Sequence, residues 1–514
     1  MIQARWLIIF FAVLGMSVPS FAIDWSLGGF PSYMRTRVRV IDNATAMNNG
    51  DAISLVDTTL RITPQLGLSD AVTVRAQVDV ASNMIWGGQT SNFFGGTVGE
   101  DDSVVLSDLR PSDRFNGAIL TGDKAVDDDY GFFSVRMLHA DIVLPNDLGF
   151  VRIGRQPFDW GLGILANGGH DPHSDLGFVV DRALWLKSFP AGAGTFTLVL
   201  VSDVFSNGAS LFAGETGVGY DILAAAGIYN QQMGDVNVTV GAYAFPYLHQ
   251  NNIFSPGLGY NWDVDRTSLY SGMLVLKGAS WSFSYEVQMF GGGELAAGTL
   301  EPIGGADFTG TDVEFDYAFD MAARLEFHPS MMAQVSTIGL EGGWAQGDDG
   351  STPLTIEGNA LPFSPAYNVD NLLFKHVIPT IYQIEGSVIN AIYARAYANM
   401  QLADNLGFTP QVLFAWNDET TATSAFDSSY YGAPLGTGIG VAEVDKYLGT
   451  EIEGTLSWTL HPGVNLDFIG SLVLAGDGLT DLLQAQAGEG APAVNDTIWA
   501  YQTRLMVYID QFMK

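Results

Sequence analysis

The chain contains no cysteine, so no disulfide staples it and no lipid-modified cysteine anchors it. Past residue 22 it has no unbroken apolar run of about 18 residues, which excludes a membrane-spanning helix. Helical periodicity hardly occurs along its length. Basic residues are few: 22 Lys and Arg stand against 56 Asp and Glu, a formal net charge of −34. That balance excludes a nucleic-acid-binding surface.

What is present is apolar but interrupted. Hydrophobic residues make up 47% of the chain and charged ones 15%, with 60 glycines, and mean hydropathy is positive at +0.17. An apolar, glycine-rich chain without helices or long apolar runs points to a transmembrane β-barrel, where lipid-facing residues hide within alternation. The N-terminus fits export. Arg5 precedes the apolar stretch Trp6–Gly15, and Ser20 and Ala22 stand at the −3 and −1 positions of a cleavage site. Residues 1–22 are therefore expected to be a cleaved signal peptide, and 23–514 a single outer-membrane barrel domain.

Alternation is clearest in three places. "EFDYAFDMAARLEFH" (314–328) puts Glu314, Asp316, Asp320, Arg324, Glu326 and His328 on one face and Phe315, Tyr317, Phe319, Met321, Leu325 and Phe327 on the other. "SWSFSYEVQM" (280–289) sets serines, Glu286 and Gln288 against Trp281, Phe283, Tyr285, Val287 and Met289. "SYMRTRVRVID" (32–42) aligns Arg35, Arg37 and Arg39 on one face. On lipid each arginine near the midplane would cost about 2–4 kcal/mol, so this row is assigned to the lumen.

Read throughout, the pattern gives about eighteen strands of about 10–14 residues. They start near Pro31, Ile53, Ala71, Phe132, Phe150, Gly177, Thr195, Val218, Val236, Asp265, Ala279, Glu314, Ala333, Val388, Gly407, Tyr447, Val464 and Ile498. Tight turns alternate with long polar connections, the longest being 83–131, 346–387 and 418–446. The fold expected is an all-β, antiparallel, up-and-down transmembrane barrel with short periplasmic turns and long extracellular loops. Aromatics near strand ends, among them Phe150, Phe189, Phe245, Phe290, Trp416 and Trp458, suit interfacial girdles.

Strand five, "FVRIGRQPFDWGLG" (150–163), with "GRQ" at 154–156, is similar to strands of the eighteen-stranded alginate-export and substrate-specific porin families. The resemblance implies a channel whose wall carries basic side chains, matched here by Arg35, Arg37, Arg39, Arg61, Arg75, Arg136 and Arg152, and insertion by the barrel assembly machinery. Two parities need resolving. Arg152 and Arg155 fall on opposite faces of one strand, as do Arg136 and the pair His139 and Asp141, unless a bulge shifts the register.

Arginines crowd the first six strands, and acids the later ones: Glu286, Asp316, Asp320, Glu326, Glu451 and Glu453. The pore-lining set therefore comprises the seven arginines above with Asp57, Asp79, Arg324 and these acids. The competing reading is local bracing, for example Arg61 with Asp57 or Arg75 with Asp79. Loop 83–131 is long enough to fold inward and narrow the lumen, with Arg110 and Arg114 at the constriction. "GGHDPHSD" (168–175) offers His170, Asp171, His173 and Asp175 as metal ligands, but its spacing matches no metal motif and a polar turn is the preferred reading. No metal or cofactor is expected. No serine elbow or nucleophile–base set occurs, so the chain is read as a non-enzyme. The expected function is a channel for passive diffusion of small hydrophilic solutes that favours anionic organic ones, with outer-membrane lipid as its surroundings. The alternatives are a dedicated exporter or importer of an acidic polysaccharide or carboxylate, and a loop-plugged structural or surface-binding barrel. Oligomeric state is open.

Overall fold

The computed structural model describes residues 24–27, 30–42, 52–85, 134–175, 177–206, 219–251, 263–295, 313–330, 332, 334–347, 355–356, 362–364, 366–378, 381, 387–422, 442–487 and 496–512. Eighteen strands form the wall. They are β1 Tyr33–Ile41, β2 Ile53–Ile62 (continued by Pro64–Ser69), β3 Val72–Ile85, β4 Ser134–Val143, β5 Phe150–Pro157 and β6 Val179–Ala191. Next come β7 Gly194–Ser206, β8 Gly219–Met233, β9 Val236–Asn251, β10 Asp263–Lys277, β11 Trp281–Gly291 and β12 Ala318–Phe327. The last six are β13 Val335–Ala345, β14 Ala391–Ala403, β15 Leu406–Asn417, β16 Tyr447–His461, β17 Val464–Ala475 and β18 Thr497–Tyr508.

Each strand pairs antiparallel with its chain neighbour, and β18 pairs with β1, Tyr508 opposite Tyr33. The sheet is thereby a closed eighteen-stranded up-and-down barrel. Closure removes the edges, so the backbone groups of the wall pair between neighbouring strands, as a sheet within lipid requires. Tight turns lie at 70–71, 192–193, 234–235, 404–405 and 462–463, all at one end.

Alternation sorts the faces as the sequence requires. Tyr33, Arg35, Arg37, Arg39 and Ile41 of β1 are buried on the lumen side, while Val38 between them is exposed outward. Tyr317, Phe319 and Phe327 beside and on β12, Trp458 on β16, and Trp499 and Tyr501 on β18 are exposed apolar groups of the outer face. Phe245 and Phe290, expected in a girdle, instead share the buried inward faces of Tyr243 and Glu286. Asp316 is also displaced. The chain leaves the strand between Phe315 and Ala318, so Asp316 sits exposed beyond the row that holds Asp320.

The parity conflicts have two different resolutions. In β4 the pairing with β3 shifts between Val78–Val135 and Gln77–Met137, leaving Arg136 as a bulged residue. Arg136, His139 and Asp141 are thereby all buried on the lumen side. The register of β5 runs without a shift. Arg152 faces the lumen, and Arg155 shares the outer face with Ile153, where Asp181 receives two of its N–H groups at 2.8 and 2.9 Å.

The apolar core lies inside the barrel. It gathers Ile164, Phe363, Tyr367, Leu372, Leu373, Phe374, Val377 and Ile378 from inserted connections. Leu479, Leu482 and Leu483 of helix α1 (Asp477–Ala487) join it, as do inward residues such as Tyr393, Leu413 and Ile498.

Candidate functional site: the lumen wall and two docked loops

Strand register decides how the arginines are used. Asp57 stands opposite Arg37, and its two oxygens accept Arg37 Nε at 2.9 Å and Arg39 Nε at 3.0 Å. Asp79 stands opposite Arg61 and accepts two parallel N–H bonds from it at 2.6 and 2.9 Å. Asp141 stands opposite Arg152 and takes both Arg152, at 2.6 and 3.1 Å, and Arg75, at 3.1 Å. The wall is braced across strands, but not by the pairs Arg61–Asp57 and Arg75–Asp79: Asp79 stands opposite Arg61, while Arg75 stands opposite His139 and reaches diagonally to Asp141. Two pairs missing from the expected set complete the basic arc: Arg182–Asp203 at 2.5 Å and Arg504–Asp467 at 2.9 Å.

The row in β1 has a second acid from outside the wall. Residues 158–178, the connection after β5, cross the lumen and come back. On the way out Trp160 donates Nε1–H to Ser271 Oγ of β10 at 2.8 Å. The Glu286 carboxylate of β11 then receives four backbone N–H groups: Leu162, Gly163 and Ile164 on Oε2 at 2.6, 2.9 and 3.2 Å, and Leu165 on Oε1 at 3.1 Å. Gly161 enters this nest at φ +54°, and a Cβ there would lie 2.6 Å from Glu286 Oε2. On the way back Asp175 docks on the arginine row, 2.7 Å from both Arg35 Nη2 and Arg37 Nη1. Burial alone would raise the Asp175 carboxyl; Arg37, Arg35 and Lys375 outweigh it and hold it well below the usual carboxylate range.

"GGHDPHSD" is thus a docking segment. His170 meets Asp159 at 2.7 Å and stacks on Phe30 with ring centroids 4.0 Å apart. Asp171 accepts the backbone N–H of His173 at 2.9 Å, and Asp175 is committed to arginine. The four candidate ligands do not share a centre, and among the described residues no three such groups converge on a metal position. Burial and the neighbouring Arg504, Arg35, Lys375 and Arg37 push His173 well below its ordinary value, so it is neutral at pH 7.

The second inserted connection follows β13. Ser364 donates its N–H to the Ile164 carbonyl at 2.7 Å, joining the two loops directly. A π-helical turn, Leu373–Val377, packs at the centre. Glu451 of β16 accepts Leu373 N–H at 2.7 Å and Asn371 N–H at 3.3 Å. Asp370 accepts Phe374 N–H at 2.9 Å and Lys375 N–H at 3.1 Å, and burial pushes its carboxyl up to about 6. Lys375 Nζ lies 3.8 Å from Asp175 Oδ2, tying this loop to the clamp on β1. Buried Glu341 of β13 accepts Arg324 at 2.5 Å, Arg395 at 2.6 Å and the Tyr367 and Tyr393 hydroxyls at 2.7 and 2.9 Å.

The remaining expected residues are placed as follows. Asp320 accepts Gln288 Nε2–H at 2.7 Å, and Glu326 accepts the Tyr397 hydroxyl at 2.6 Å. Glu453 shares the inward face of β16 with Glu451. Arg110 and Arg114 lie outside the described residues. Glu341, Arg395 and Asp175 were not in the expected pore set; Asp175 was read only as a candidate ligand. The apolar residues Leu372, Leu373, Phe374, Val377 and Ile378, gathered within a polar connection, are the signal that this segment is buried.

No protein-family model matches the chain, and no curated protein matches it. Among solved structures it is similar to OccAB1 of Acinetobacter baumannii, at 11% identity over 93% of this chain and 95% of that one, with a TM-score of 0.46. It is similar also to OccK2 (OpdF) of Pseudomonas aeruginosa, solved in complex with glucuronate, at 12% identity over 93% and 98% of the two chains and a TM-score of 0.45. The loop-deleted OmpT of Vibrio cholerae follows at 8% identity over 95% and 99%, with a TM-score of 0.33. The molecule's own architecture defines its class: a transmembrane β-barrel of eighteen strands with two loops docked in its lumen.

Proposed function

We propose that this chain is an outer-membrane channel for passive diffusion of small hydrophilic solutes and that its wall favours anionic organic ones. On this reading residues 1–22 direct export, the barrel assembly machinery inserts the chain, and no cofactor or chemical step takes part. The observation that carries it is the lumen's lining. Charged side chains run along the inner face of most strands, and an eighteen-stranded barrel is wide enough to keep water beside the docked loops.

The cations that meet solute are not those of the β1 row, which are almost wholly buried under Asp175. Arg75 and Arg152 share the single carboxylate of Asp141 and keep 28% and 30% of their side chains exposed. Two guanidinium forks against one carboxylate leave donor capacity for a passing carboxylate or phosphate. In bilayers, gluconate or succinate should block or carry current, and the double variant Arg75→Gln/Arg152→Gln should lose that effect while folding normally. If the double variant handles both anions as the parent does, the assignment of these arginines fails.

One observation favours a second reading. The two inserted loops are bonded to each other and share an apolar core, which is how a plugged barrel would be built. A parent protein that folds but passes no current would select it.

A further inference from the structure

On the wall behind the returning limb of the first loop, Tyr33, Arg61 and Asp79 stand in one cross-strand row on β1, β2 and β3. The bulge in β4 adds Arg136 beside Gln77 at the end of that row. All four side chains are buried. The row carries two guanidinium groups and one carboxylate, and that carboxylate is hydrogen-bonded to Arg61 through both oxygens. Among the described residues Arg136 donates only to neutral acceptors, Gln77 Oε1 at 3.4 Å and the Gly168 carbonyl at 3.2 Å.

Two further donors are left over here. Arg61 Nη1 and the Tyr33 hydroxyl are buried without a hydrogen-bond partner among the described residues, and the Arg61 guanidinium lies over the Tyr33 ring, 5.3 Å from its centroid. A charged donor closed off from water without an acceptor is costly, and uncompensated buried charge more so. The loop seals the place: Gly177 packs so closely that a Cβ on it would lie 2.3 Å from Arg136 Nη2. Two other charges act on this region, Arg35 on β1 and Asp175 on the loop, and these two are paired with each other at 2.7 Å.

From this arrangement we infer a sealed structural anion site between Tyr33, Arg61 and Arg136, holding one small inorganic anion of the chloride type as a counter-ion to the wall. It lies behind the loop, apart from the exposed Arg75 and Arg152, and does not depend on which solute the channel carries. The anion neutralises the excess guanidinium and accepts the Arg61 Nη1–H and Tyr33 O–H groups.

The test uses the mature full-length chain refolded in detergent in sodium bromide and crystallised in it, so that a sealed site fills during folding. An anomalous bromide peak is expected within hydrogen-bond reach of Arg61 Nη1 and Tyr33 Oη, absent from Arg136→Met and weakened in Tyr33→Phe. In solution, replacing chloride by methanesulfonate at equal ionic strength should lower the parent's melting temperature by several degrees and that of Arg136→Met hardly at all. Two results overturn the inference: parent crystals with no anomalous density at this position, or parent and both variants responding equally to the exchange. Should Arg136→Met fail to fold, Tyr33→Phe, which removes one hydroxyl only, decides both measurements.

Discussion

Glu286 is where one side chain holds most of a loop in place. Its carboxylate is the shared acceptor for four consecutive backbone N–H groups, those of Leu162 to Leu165. Hydrogen bonds to a charged group contribute about 1.5–3 kcal/mol each, and a buried N–H left unpaired costs about 1–3 kcal/mol. Glu286→Gln keeps one acceptor oxygen, which in the Oε2 position retains three bonds now made to a neutral acceptor, and turns its amide NH2 towards the Leu165 N–H, which is left unpaired. The docked state of the 158–178 loop should then weaken by about 2–4 kcal/mol, a shift of about thirtyfold to almost a thousandfold at 1.36 kcal/mol per factor of ten. Single-channel recording reads this directly. The parent should give one steady level, and Glu286→Gln a larger mean conductance with frequent transitions. Gly161→Ala should act alike, since its Cβ would enter the same nest. Both variants matching the parent in level and noise would refute the latch.

Three further outcomes follow from the same geometry. Replacing Arg35, Arg37 and Arg39 together by glutamine strands Asp57 and Asp175, and breaking a buried pair costs about 3–5 kcal/mol; a melting temperature equal to the parent's would contradict the clamp. Burial raises Asp370 from its ordinary 3.8 to about 6, so between those values the folded protein holds a proton that the unfolded chain has released. This site's stabilising contribution is therefore complete below about pH 4 and is lost as pH rises through 6. Against Asp370→Asn, the parent's melting temperature should fall between pH 5 and 7.5; a constant difference would contradict it. With the tight turns periplasmic, an epitope tag in the β15–β16 connection should be labelled on intact cells and one at 404–405 should not.

Most of the wall was legible in sequence because lipid forces strict alternation. Each of the eighteen expected starts falls within a few residues of a strand, and the Arg35, Arg37 and Arg39 row faces the lumen as the cost of lipid exposure demands. Where alternation alone was ambiguous, at Arg136, the answer was a bulge that leaves no periodic trace. The contents of the lumen were far less legible. Asp175 and Glu286 act by meeting residues 138 and 121–124 positions away, and such contacts carry no local pattern. The helix Asp477–Ala487 did leave one, with Leu479, Leu482 and Leu483 at helical spacing, hidden within a connection read as polar loop. Among the described residues the connections that reach the lumen core are those after β5 and β13 and, through helix α1, the one after β17; the 83–131 connection falls largely outside the described residues.

Everything functional turns on whether water passes the two docked loops. Mature protein refolded in detergent and added to a planar bilayer in 1 M potassium chloride should produce discrete, uniform conductance steps. Their size should rise in Glu286→Gln. Correctly folded protein that inserts without producing any step would show a sealed barrel and contradict the channel.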